Sequence, residues 1–86
     1  MNVYVLTMFD AIGDNGSSRH EVLGAYKTKK LAQVEMKKHY DKDVASAKER
    51  NEDCEKEIGN DSALINFSYD DYILYEIHKL KIKEEK

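Results

Sequence analysis

The first strand-forming run constrains the fold most. Residues 2–9, Asn-Val-Tyr-Val-Leu-Thr-Met-Phe, are rich in β-branched and aromatic side chains and predict a strand. Alternation puts Val3, Val5 and Phe9 on one face and Tyr4, Leu6 and Met8 on the other. A strand that is apolar on both faces belongs inside a sheet covered on both sides. The chain has 86 residues with which to do this. A chain of that length makes one domain, residues 1–86, and buries only about 60–65% of its unfolded surface. Oligomerisation would be a natural supplement to so small a core.

Asn15-Gly16, within the polar run 10–19, is a tight-turn signal because both residues accept positive φ. Residues 20–27 follow as a second strand, antiparallel to the first, with Gly24 marking a bulge or a close backbone approach. Thr28 is the expected N-cap of a helix over residues 28–57, about 45 Å long if unbroken, with a break near 41–44 as the alternative. Its apolar stripe is Ala32, Met36, Tyr40, Val44, Ala47, Cys54 and Ile58, inside an arc of about 120°. Leu31 and Val34 fall outside the arc, and Gly59-Asn60 reads as the stop. Residues 59–70 read as a connection and 71–82 as a third strand. One face of that strand carries Tyr72, Leu74, His78, Leu80 and Ile82; the other carries Ile73, Tyr75 and Ile77. Lys83 to Lys86 form a frayed tail. The expected fold is therefore α+β, β-β-α-β: a three-stranded antiparallel sheet of order 2-1-3 with one long helix on one face. The crossover is expected to be right-handed. The other face keeps its apolar residues with little left to cover it, which makes it a candidate interface.

Charge along the expected helix runs against its dipole. Lys27, Lys29, Lys30, Lys37 and Lys38 face a single acid, Glu35, in the first part. From Asp41 to Asp61 the balance reverses, with Asp41, Asp43, Glu49, Glu52, Asp53, Glu55, Glu57 and Asp61 against Lys42, Lys48, Arg50 and Lys56. Each exposed charge placed against the dipole costs roughly 0.3–1 kcal/mol. The pattern suggests a charge-matched partner, or a second copy laid antiparallel.

Net charge is −3, which argues against non-specific nucleic-acid binding by the chain as a whole. The lysine group is a modest phosphate footprint with no interleaved aromatics, so nucleic acid is an unlikely partner. A lone Cys54 points to a reducing compartment. No signal peptide and no apolar run of about 20 residues is present, so a cytoplasmic protein is expected, without membrane contact.

No catalytic, cofactor or metal motif emerges. His20, His39, His78 and Cys54 lack the paired spacing of a zinc site. Asp10, Asp14 and Asn15 do not follow the alternation of a calcium loop. Gly13-Asp14-Asn15-Gly16 lacks the Lys and Ser/Thr of a phosphate loop. Cys54 and His39 stand about 22 Å apart on a continuous helix, too far for a nucleophile and its base, and Cys54 reads as a small core residue. Six tyrosines, Tyr4, Tyr26, Tyr40, Tyr69, Tyr72 and Tyr75, fit core packing or an interface. The candidate interaction residues are Lys29, Lys30, Lys37, Lys38, Glu49, Glu52, Asp53, Tyr72 and Tyr75.

Four segments carry a resemblance: Val3-Tyr4-Val5-Leu6-Thr7, Gly13-Asp14-Asn15-Gly16, Val22 through Ala32, and Tyr72-Ile73-Leu74-Tyr75-Glu76-Ile77. In these the chain resembles the small uncharacterised proteins of bacteriophages and prophages of low-GC Gram-positive bacteria. The resemblance implies a protein that binds and modulates or inhibits a host protein, antiviral defence included, in the host cytoplasm; the small size and the missing chemistry make the expected protein non-enzymatic. A self-associating dimeric module and a weak nucleic-acid binder are the alternatives.

Overall fold

Residues 1–12, 17–68 and 71–82 are described by the computed structural model. They form, in chain order, β1 (Asn2–Ile12), β2 (Ser17–Tyr26), α1 (Lys29–Glu49), β3 (Glu55–Ile58), β4 (Ser62–Ser68) and β5 (Asp71–Lys81). The expected Asn15-Gly16 turn and the tail 83–86 lie outside the described residues.

The sheet has five strands in the order β2-β1-β5-β4-β3, with every neighbouring pair antiparallel. The three-stranded sheet of order 2-1-3 expected from the sequence is incorrect. The error begins at the end of α1. Asn51 takes φ 55°, and its N–H bonds the Lys48 carbonyl (3.1 Å) while the Glu52 N–H bonds that of Ala47 (3.0 Å). These are the two bonds of a Schellman stop, with Asn in the left-handed position usually given to Gly. The helix is thus 21 residues long, about 31 Å, rather than running to residue 57. Gly59-Asn60, expected to stop the helix, instead turns the β3–β4 hairpin, where the Gly59 N–H donates to the Ser62 carbonyl at 2.8 Å. Cys54 and Ile58 leave the helical stripe. Cys54 is half-buried in the segment before β3, and Ile58 on β3 is exposed.

The order places β2 and β3 at opposite edges, so α1 carries the chain across the whole sheet. It packs on one face only. There Leu6 and Met8 of β1, Tyr75 and Ile77 of β5, and Ala63 of β4 meet Ala32 and Met36 of the helix. Tyr4, Leu23, Tyr26, Tyr40 and Ile73 close the margin. Register requires this grouping, because Met8 pairs with Tyr75, Leu6 with Ile77, and Ala63 with Tyr75.

The β1–β2 ladder slips between Leu6 and Thr7, which inserts Leu23 as an extra residue beside Gly24. Gly24 also admits a close approach: a Cβ there would lie 2.5 Å from Tyr26 Oη and 2.8 Å from its Cζ. Thr28 caps α1 through its Oγ1, which accepts from the Leu31 N–H at 3.2 Å.

The shorter helix removes half of the charge anomaly. Glu52, Asp53, Glu55, Glu57 and Asp61 lie beyond its end, and Lys48 in its last turn suits the dipole. Glu49 beside it opposes the dipole, as does the start, with Lys29 and Lys30 and no acid in the first turn. The fold supplies the missing acid from elsewhere. Asp61 of the β3–β4 turn sits 2.6 Å from Lys29 Nζ, and Gln33 Nε2 donates to the neighbouring Asn60 carbonyl at 3.0 Å.

Candidate protein-binding face

Among the described residues, none forms a layer over the face of the sheet turned away from α1. Alternation and register bring Val3, Val5, Phe9, Val22, Leu64, Tyr72, Leu74 and Leu80 onto this one surface. Val22 is 67% exposed and Leu80 54%; most of the others are half-buried by their neighbours alone. Three aromatic rings lie side by side across three strands. Phe9 meets His20 edge-on at 5.9 Å between centroids and Tyr72 at 6.0 Å. Thr7, at the middle of β1, is buried on this face; its hydroxyl donates to the Glu76 carbonyl (3.5 Å) and lies 3.1 Å from His78 Nε2.

The face is also segregated by charge. Glu55 and Glu57 of β3 and Glu76 of β5 point to it, since they pair with Asn66, Leu64 and Thr7. Among the described strand residues no lysine or arginine does. Arg19 pairs across from Asp10, Lys56 from Ile65, Lys79 from Tyr4 and Lys81 from Asn2, all on the helix side. One acceptor there has no donor: Asn66 Oδ1 is buried and unpartnered.

The residues expected to interact do not form one site. Tyr72 lies on the open face beside Phe9. Tyr75 is 2% exposed beneath the helix, so it is a core residue, not a contact residue. Its hydroxyl donates to the Asp43 carboxylate of α1, and burial first, with Asp43 second, pushes the phenol well above its usual pKa. Lys29 is tied to Asp61, Lys37 to Asp41 and Lys38 to Glu35, while Lys30 is exposed. Glu49 ends the helix, and Glu52 and Asp53 lie in the following segment, with Glu52 paired to Arg50 at 2.8 Å. The lysines and Glu49 thus share α1, while Glu52 and Asp53 lie beyond its end.

The sequence reading missed Val22, His20 and Leu64 as parts of one surface with Phe9 and Leu74. Alternation within each strand was visible, but the pairing that joins the strands was not.

Among the described residues no helix is long and apolar enough to cross a membrane, and no three His, Cys, Asp or Glu side chains are grouped to hold a metal. Comparison with protein-family models, curated proteins and solved structures finds no match.

Proposed function

We propose that this chain is a small non-enzymatic binding protein that docks the helix-free face of its sheet onto another protein. The carrying observation is the apolar, partly aromatic surface of Val5, Phe9, Val22, Leu64, Tyr72 and Leu74 on a sheet that the described residues cover on one face only. Its size suits the role. Five strands about 4.8 Å apart, with 43 residues in all at about 3.3 Å each, cover roughly 680 Å². A standard interface covers about 800 Å² on each partner. Large exposed apolar patches on small proteins mark such surfaces. The resemblance to phage proteins makes the partner a host protein in this reading, and the effect modulation or inhibition.

The reversed-charge argument for an antiparallel helix pair weakens, because five of the eight acids of the acidic half lie off the helix. A Val22→Asp/Leu80→Asp double variant tests the docking face. Both side chains are exposed, so folding should change by no more than about 0.5 kcal/mol per site. The wild-type chain should saturably retain a protein from bacterial lysate that the double variant loses, while Lys30→Glu on the helix retains it. Equal retention by the double variant, or substrate turnover with no saturable partner, overturns the proposal.

A further inference from the structure

We infer that the occupant of the open face brings an arginine or lysine to its centre, received there by the Glu76 carboxylate; this rests on the open face being the docking surface. β5 is the middle strand of the five, and Glu76 is the middle residue of β5. It is half-buried and pairs with Thr7 on one side and Ser62 on the other. Val5, Phe9 and Leu64 stand diagonally from it, and Leu74 and His78 flank it along β5, so the one carboxylate at the centre has apolar and neutral polar groups beside it.

Glu76 forms no salt bridge with any described residue; the described strand residues offer no lysine or arginine on this face, and the nearest imidazole, His78, contacts the Thr7 hydroxyl at 3.1 Å. A lone surface carboxylate is unremarkable while water reaches it. Covering the face removes that water, and an unpaired buried charge is strongly disfavoured. Charged groups are depleted from interface centres, and those present are paired across the contact. With no lysine or arginine among the described strand residues of this face, in this inference the cation comes from the partner. Arginine fits best, because its planar fork matches a carboxylate and its weak hydration tolerates the apolar neighbours.

The same charge selects against other occupants. A second copy stacked face to face about a central two-fold axis would bring the two Glu76 carboxylates together with no lysine or arginine of the described strands between them. Glu55 and Glu57 add to the repulsion of polyanions and anionic membranes.

The test uses the intact chain and two leucine-rich amphipathic peptides identical except for a central arginine or glutamate. Amide shifts are followed by two-dimensional NMR. The arginine peptide should shift β1 and β5 amides around Glu76 and bind about ten-fold more tightly than the glutamate peptide. Glu76→Gln should bring that ratio near one, and Glu76→Arg should invert it. Equal binding of both peptides at the open face, or an unchanged ratio in Glu76→Gln, overturns the inference and leaves the docking face standing. Shifts confined to α1, or no binding by either peptide, overturn both. A concentration-dependent dimer seated on this face by sedimentation equilibrium also overturns the inference.

Discussion

Replacing Tyr75 by Phe removes one oxygen from a side chain that is 2% exposed and leaves its ring packing in place. The lost group is the donor to Asp43, the contact that ties β5 to the second half of α1. A hydrogen bond to a charged acceptor contributes about 1.5–3 kcal/mol. Asp43 is only half-buried, so water can partly replace the phenol and the lower end applies, about 1.5 kcal/mol. For a domain of this length each kcal/mol moves Tm by about 4–8 °C, so Tyr75→Phe should melt about 6–12 °C lower. Urea unfolding of Tyr75→Phe, Asp43→Asn and the double variant should give a coupling of about 1 kcal/mol. Alkaline pH supplies an independent check. An unfolded tyrosine titrates near pH 10, whereas the folded Tyr75 phenol is held above that value by burial and by Asp43. Its contribution is fully present below about pH 10 and is lost as pH rises from there toward the folded value. Wild type should therefore lose stability above pH 10 more steeply than Tyr75→Phe. Coupling near zero, or identical alkaline slopes, would refute the assignment of this pair as a tie between sheet and helix.

Three further outcomes can be checked by chemical denaturation. Asn51→Ala should cost about 1 kcal/mol, and Asn51→Gly should be neutral or stabilising, because the φ of 55° penalises a Cβ. Gly24→Ala should cost about 1–3 kcal/mol by displacing the Tyr26 ring, and adding Tyr26→Leu should recover part of the loss; simple additivity would show that the ring is not the obstacle. Asn66→Leu should raise stability by about 1 kcal/mol, since it deletes a buried carbonyl without a donor; a loss would mean that the amide makes a compensating bond.

Local chemistry made some of this chain legible. Thr28 as N-cap, the two-faced apolar character of β1 and the double role of Gly24 follow from side-chain shape and backbone freedom. The second half was misread because the helical period continued past the real helix. Cys54 and Ile58 fall on the Ala32–Ala47 stripe by spacing alone, so periodicity extended α1 over what is β3. The signal that could have prevented this was Asn51, which tolerates the left-handed conformation and stops a helix as Gly does. Ala63, Ile65 and Phe67 alternate as strand residues do, but in a segment of seven residues this was weak against its polar neighbours.

The sequence by itself determined that a strand apolar on both faces would sit inside a sheet, because its side chains alternate whatever it pairs with. It also determined where α1 starts. Register and strand order belonged to the tertiary structure, since they depend on which distant strands meet. The structure placed Glu76 at the middle of the open face, carried Asp61 to the start of α1 and put Tyr75 beneath the helix, opposite Tyr72. Those positions join residues tens of positions apart, and local propensity carries no information about such pairings.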